Sequence, residues 1–447
     1  IDGKEPGRFW NNLGNTLKSL GRLDEAEQSF RTSLVLRPNA QTLSNLGATL
    51  REQMRLTEAE AVLREALATE ADDRDANYNL GGVLYDLTRH EEAEPYFRRA
   101  LASDPDCAPP RAALAMCLRA RGAMDEAAEL LEEGLARKPE DPELGFVLRL
   151  IYSSSIPAWH IPMINDHERN DAYDAALRQA VTPGCLVLEV GTGSGIVSMM
   201  AARAGAGKVV TCEMSAPLVR VARRNIARNG YAGSITVVHK KSTDMRLGED
   251  LPERADVFVS ELINVGMLAP DMLAILKHAR DTLVKPGGRI IPEASTVHGM
   301  LVETPDLARI NPVGLISGFD MSAFDIFRSP GCAQIDLGAD AHIPLSRPFT
   351  ALDFDFTRDM PESGRETLTL PVTANGLCHG IAFWFDLRMW GDVLYDSGSR
   401  NRGNHWKQAM QFFPRPIPVR AGQALTVVAG YDRKGVFFEA HPQPQGQ

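Results

Sequence analysis

Residues 186–214 read L-V-L-E-V-G-T-G-S-G-I-V-S-M-M-A-A-R-A-G-A-G-K-V-V-T-C-E-M, and the fold turns on them. Leu186 to Val190 is a short apolar run, long enough for one buried parallel strand. Glycines then stand at alternate positions, Gly191, Gly193 and Gly195, where a backbone must turn tightly and approach a ligand closely. A helical pattern follows from Ile196 to Ala204, and a second apolar run, Lys208 to Cys212, ends on Glu213. The whole predicts a βαβ unit of a nucleotide-binding sheet, with the Glu213 carboxylate placed to take both hydroxyls of a ribose.

A dinucleotide loop needs G-x-G-x-x-G, whereas this chain has E-x-G-x-G-x-G, led by Glu189. That form resembles motif I of the class I S-adenosylmethionine-dependent methyltransferases, whose ligand has no phosphate to cradle. Glycines serving only a strand-to-helix turn would leave Glu213 unexplained, and Pro286-Gly287-Gly288 later in the chain supports the same resemblance.

At 447 residues the chain has room for two to four domains, and 44% hydrophobic with 24% charged residues is ordinary for a soluble protein. No apolar run is long enough to span a bilayer, and no signal-peptide pattern opens the chain at Ile1. The cysteines at 107, 117, 185, 212, 332 and 378 form no C-x-x-C pair, so a reduced, cytoplasmic, metal-free protein is expected. A net charge of −10 argues against a nucleic-acid footprint and suits cationic peptides.

The first 140 residues repeat. Leu13-Gly14, Leu46-Gly47, Leu80-Gly81 and Leu114-Ala115 recur every 33 or 34 residues; Ala26, Ala59, Ala93 and Ala127 follow them, and then Phe30, Leu63, Phe97 and Leu131. Pro38, Pro105 and Pro139 close three of the units. The pattern resembles the tetratricopeptide repeat, two helices per unit, stacked into a solenoid that binds a polypeptide. Asn11, Asn45 and Asn79 read as a polar stripe at equivalent positions of the first helices, able to bond a ligand backbone, to face solvent or to bridge repeats.

Pro139 to Arg149 predicts a capping helix. A polar segment with His160, Met163, Asp166 and Arg169 then leads into an amphipathic helix, Asp171 to Ala180, suited to a lid. Beyond Glu213 the pattern gives helix Pro217 to Asn229, strand Ser234 to Val238, Ser242-Thr243-Asp244 at a strand end where adenine contacts fall, and strand Ala255 to Ser260 ending on Glu261. Helix Asp271 to Leu283, turn Lys285 to Gly288 and strand Arg289 to Pro292 complete the sheet; from about residue 296 alternating segments such as 381–388 and 424–431 predict an all-β domain.

Ser260-Glu261-Leu262-Ile263-Asn264, Asn404-His405-Trp406 and Gly318-Phe319-Asp320-Met321 together resemble the protein arginine methyltransferases over roughly residues 157–440, in the branch with N-terminal tetratricopeptide repeats. The resemblance implies the following roles. Glu261 is the carboxylate that holds the acceptor guanidinium; His405 and Asp166 pair as a proton relay or a lid pin; Trp406 completes their loop. Arg169, Glu189, Gly191, Gly193, Gly195, Glu213, Ser242, Thr243, His160 and Met163 surround S-adenosyl-L-methionine. The family carries a second glutamate nine residues after the first. Here that position is Pro270, followed by Asp271; either Asp271 reaches in, or Asn264 helps, or the activity is slow, altered in substrate or lost.

The expected fold class is multidomain α+β: a tetratricopeptide α-solenoid at 1–142, capping and lid helices at 143–180, a Rossmann-like class I methyltransferase domain at 181–295, and an antiparallel β-barrel at 296–447. The expected activity is methylation of an exposed arginine in a protein or peptide recruited with help of the repeats, with no nucleic-acid or membrane partner and with homodimerisation through an arm within 320–350. A catalytically weak adaptor, or a methyltransferase for a small guanidine or amine, is the alternative that Pro270 raises.

Overall fold

Small residues facing large ones build the first part of the chain. In a computed structural model describing residues 6–155, 157–308, 315–327, 332–401 and 403–441, the chain divides into two units, Ile1–Pro157 and Ala158–Gln447. The first holds helices α1 (Pro6–Ser19), α2 (Leu23–Leu36), α3 (Ala40–Glu52), α4 (Leu56–Thr69), α5 (Arg74–Asp86), α6 (His90–Ser103), α7 (Ala108–Ala120), α8 (Met124–Arg137) and α9 (Pro142–Ser155). Gly14, Gly47 and Gly81 lie so close to Phe30, Leu63 and Phe97 of the paired helix that a β-carbon would fall 2.6, 2.4 and 2.8 Å from those side chains. Ala26, Ala59, Ala93 and Ala127 are fully buried in the same seam.

Ion pairs tie each repeat to the next. Arg55 Nη1 donates to Glu27 at 2.6 Å and Arg89 Nη1 to Glu60 at 2.9 Å, and Arg121 pairs with Glu94. The asparagine stripe needs correcting: Asn11 stands two residues before Leu13, while Asn45 and Asn79 stand one before Leu46 and Leu80. Asn45 donates to Asn11 at 3.0 Å and Asn79 to Ser44 at 3.2 Å. These side chains therefore make inter-repeat contacts.

Gly81→Ala tests the seam. Alanine gains roughly 1 kcal/mol of helix propensity, but its methyl group must displace the Phe97 ring, and overpacking costs about 1–3 kcal/mol. A net loss of about 1 kcal/mol in urea unfolding is expected; a net gain would mean that the ring yields freely.

The second unit opens with α10 (His160–Ile164) and α11 (His167–Ala180). A sheet follows: β1 (Leu186–Val190), α12 (Ile196–Arg203), β2 (Lys208–Glu213), α13 (Ala216–Arg228), β3 (Ile235–His239), β4 (Ala255–Ser260), α14 (Met272–His278) and β5 (Val284–Ile291). Its strands are parallel in the order β3-β2-β1-β4-β5. Every residue of β1 is buried, as a strand covered on both faces requires. Val190 pairs with both Cys212 and Ser260, so Gly191, Glu213 and Glu261 leave the sheet side by side at its carboxyl edge. The helix expected over 271–283 ends at His278 and continues as a π-helical turn, Ala279–Leu283. The expected turn at 285–288 is an irregularity inside β5, where pairing jumps from Val284 to Arg289.

Beyond it lies a seven-stranded antiparallel sheet. Ala333–Ile335, Gln408–Val419, Gly376–Trp390, Ala294–Glu303 and Ile343–Pro344 run in that order, with Phe349–Asp355 and Val393–Asp396 added at its sides. Gly364–Pro371, Ala424–Asp432 and Gly435–His441 form a three-stranded sheet. Residues 333–335, 343–344 and 349–355 thus belong to the main sheet, and an exposed apolar stretch lies instead at 315–327, where Leu315, Phe319 and Ile326 are 73, 71 and 82% exposed. No helix among the described residues is long and apolar enough to cross a membrane.

Candidate active site

The carboxyl edge of β1, β2 and β4 opens into a cavity of about 630 Å³, lined by His160, Met163, Gly191, Gly193, Glu213, Ser242, Thr243, Glu261, Pro270 and Asp271 among others. Gly191 and Gly193 have φ of +87° and +50°, and a β-carbon at Gly193 would meet no atom within 4 Å. The missing side chain therefore leaves space to the cavity. Glu213 holds the loop: its Oε2 accepts from the Gly193 N–H at 3.2 Å and its Oε1 from the Ser215 N–H at 2.9 Å. A bare glycine wall beside a strand-end carboxylate fits an adenosyl group with free ribose hydroxyls.

Three expected cofactor residues stand behind that wall. Gly195 caps α12 with φ +83° against Ile226. Glu189 is buried and accepts from the Ser198 hydroxyl; burial pushes its carboxyl up to about 7. Raised in this way, Glu189 keeps its proton in the fold where the unfolded chain has lost it, so its stabilising contribution is full below about 4.5 and lost as pH rises through about 7. Glu189→Gln is expected to gain on the wild type by on the order of 3 kcal/mol between pH 4.5 and 8. Parallel unfolding curves across that range would refute it.

Arg169, the third, is 2% exposed on α11. Its Nη2 donates to Glu261 Oε2, its Nη1 to Asn170 at 2.6 Å, and its guanidinium carbon lies 5.0 Å from the centre of the Tyr173 ring. Burial alone would lower its pKa, but Glu261, Tyr173 and Asp166 together outweigh burial and hold it above its ordinary value. Tyr173 in turn donates to the Ser260 carbonyl at 3.0 Å, fixing the strand end that presents Glu261.

Asp166 joins the start of α11 to the distant His405 loop. One oxygen caps α11 by accepting from the Arg169 N–H at 2.9 Å. The other meets the His405 N–H at 3.0 Å, His405 Nδ1 at 2.9 Å and the Tyr395 hydroxyl at 3.2 Å. Burial opposes its ionisation, yet the His405 hydrogen bond and the two backbone donors hold its carboxyl below the usual range. Trp406 is buried, and its indole N–H donates to the Ile263 carbonyl at 3.2 Å, two residues past Glu261. Neither His405 nor Trp406 lines the cavity; His405 holds Asp166, and Trp406 holds the backbone just past Glu261.

Asp271 has φ +59° and pairs with Arg433, whose Nε donates to Oδ1 at 2.9 Å. Sequence reasoning missed Arg433, Tyr395, Trp159, Cys212 and Lys240. Trp159 stacks on His160 at 3.9 Å, and Cys212 lines the cavity with its thiol pushed up to about 12 by burial.

Comparison with known proteins matches residues 293–434 to the arginine methyltransferase oligomerization subdomain, residues 171–296 to the ribosomal protein L11 methyltransferase family, and residues 7–40, 44–108 and 84–145 to tetratricopeptide repeats. The Arginine N(omega)-methyltransferase of Streptomyces achromogenes subsp. streptozoticus is 35% identical over 325 residues, 72% of this chain and 90% of that protein. Protein arginine N-methyltransferase 7 of Oryza sativa subsp. indica is 30% identical over 321 residues, and the chain spans only 44% of its length. The fold is shared with the protein arginine methyltransferase 1 enzyme–prozyme complex of Trypanosoma brucei, at TM-score 0.54 and 23% identity over 63% of this chain and 97% of that one. The chain belongs to the protein arginine N-methyltransferase family and carries tetratricopeptide repeats ahead of its methyltransferase fold.

Proposed function

We propose that the chain transfers a methyl group from S-adenosylmethionine to a guanidinium nitrogen of arginine in a polypeptide that the repeats help to recruit. The observation that carries this reading is Glu261, a 9% exposed carboxylate on the cavity wall that already accepts a guanidinium, that of Arg169. Arginine's guanidinium has a pKa above 12, so its nitrogen is a poor nucleophile. A carboxylate bonded to its N–H groups draws charge away from the attacking nitrogen and aims it; positioning and electrostatics supply the acceleration. S-adenosylmethionine supplies the electrophilic methyl: the nitrogen–carbon bond forms as the carbon–sulfur bond breaks, the sulfur keeps the electron pair, and the nitrogen then loses one proton.

In this reading Glu213 takes the ribose, Ser242 and Thr243 the adenine side, and His160 and Met163 the lid side of the cofactor. Asp166 and His405 pin the lid to the barrel loop. The exposed apolar 315–327 stretch, within a chain that matches an oligomerization subdomain, supports a homodimer. The six unbridged cysteines support a cytoplasmic setting.

Radiolabelled S-adenosylmethionine with arginine-rich peptides is the test, with mass spectrometry of the product. Methylarginine is expected. Cofactor binding without labelled peptide would favour the adaptor reading and point to Pro270 as the reason.

A further inference from the structure

The rim of the cavity carries a charge arrangement that the transfer to a polypeptide does not use. Ile263 pairs with Leu268 and Asn264 with Met267, so this hairpin brings the chain back from Glu261 and sets Pro270 and Asp271 on the same cavity wall. Where the family has a second carboxylate, Pro270 has none, and Asp271 turns to Arg433. The Asp271 backbone N–H donates to the Arg433 carbonyl at 3.0 Å, and Arg433 Nε lies 2.9 Å from Asp271 and 3.9 Å from Glu362.

Stability does not account for this pair. Its side chains are 54 and 66% exposed, and an exposed ion pair contributes about 0–1 kcal/mol. Asp271 adopts a left-handed backbone conformation, which aspartate tolerates better than most residues with a β-carbon.

Asp271 and Arg433, a carboxylate and a guanidinium side by side on the wall that also holds Glu261, complement an ammonium and a carboxylate borne on one carbon. Resting on the arginine methylation proposed above, we infer that this site also accepts free L-arginine, its guanidinium on Glu261, its α-ammonium on Asp271 and its α-carboxylate on Arg433. In a polypeptide, amide bonds consume both of these head charges, and the rim pair has nothing to read. The Streptomyces relative, of which the chain spans nine-tenths, is named for arginine itself. The methyl transfer is balanced as for the peptide: one nitrogen–carbon bond forms, one carbon–sulfur bond breaks, and one proton leaves the guanidinium.

The experiment uses the full chain, labelled S-adenosylmethionine and four acceptors: L-arginine, agmatine (no carboxylate), Nα-acetyl-L-arginine (no ammonium) and an arginine-rich peptide. L-arginine is expected to exceed agmatine and Nα-acetyl-L-arginine by about tenfold or more in kcat/KM, the value of one well-placed charge contact. Arg433→Gln should bring the L-arginine to agmatine ratio to within about twofold, and Asp271→Asn should do the same for the acetylated acceptor. A thermal shift on adding S-adenosylhomocysteine verifies that each variant is folded. A labelled peptide with unlabelled L-arginine would overturn this inference alone, as would a preference that both variants leave unchanged. No labelled acceptor of any kind would overturn the arginine methylation beneath it.

Discussion

Glu261→Gln is expected to lower kcat for methyl transfer by about 10³-fold, the scale on which one preorganised electrostatic group contributes. The amide keeps the shape of the side chain but loses its charge, and half of it becomes a donor facing N–H donors. The acceptor guanidinium then has no anion to polarise it. The same change strands Arg169, which is 2% exposed and bonded to Glu261; removing one partner of a buried pair costs about 3–5 kcal/mol. Two readouts separate these effects. Initial rates with saturating acceptor report the chemistry, and unfolding in excess S-adenosylhomocysteine reports the fold. A folded, cofactor-binding variant that retains a tenth of wild-type kcat would remove Glu261 from the catalytic role.

The second large effect is one of stability. Asp166→Ala removes the acceptor for the Arg169 N–H, two groups of His405 and the Tyr395 hydroxyl together. A lost cap costs about 1 kcal/mol, and each buried donor left unsatisfied about 1–3 kcal/mol more. The expected total is about 3–5 kcal/mol, read as a lowered transition in calorimetry. Because the folded pKa of Asp166 is depressed, its contribution is present above about 3.8 and lost as pH falls below that. The gap between wild type and variant should therefore stay constant from pH 5 to 8 and narrow in acid. Equal stability at neutral pH would mean that water replaces the carboxylate and that Asp166 pins nothing.

What the sequence made legible were features carried by neighbouring residues. The repeat seam follows from small and large residues one helix apart, and the glycine loop with Glu213 lies within one βαβ unit. What it hid depends on distance along the chain. Arg169 meets Glu261 across 92 positions, Asp166 meets Tyr395 across 229, and Asp271 meets Arg433 across 162. An arginine on an amphipathic helix or in a β-turn reads as a solvated charge, and only the packing of α11 on the end of β4 and of the 432–435 turn on the loop after it gives these two arginines carboxylate partners. Of the readings open for the asparagine stripe, contact between repeats is the one observed, with Asn11 one residue out of register from Asn45 and Asn79.

Burial of Cys212 has a consequence for self-modification. A pocket suited to a sulfonium donor holds an alkylating agent, and a thiolate would be a far better nucleophile toward it than any guanidine. Burial pushes the Cys212 thiol up to about 12, so at neutral pH this residue presents a protonated sulfur, a poor nucleophile toward a methyl donor held in the same cavity.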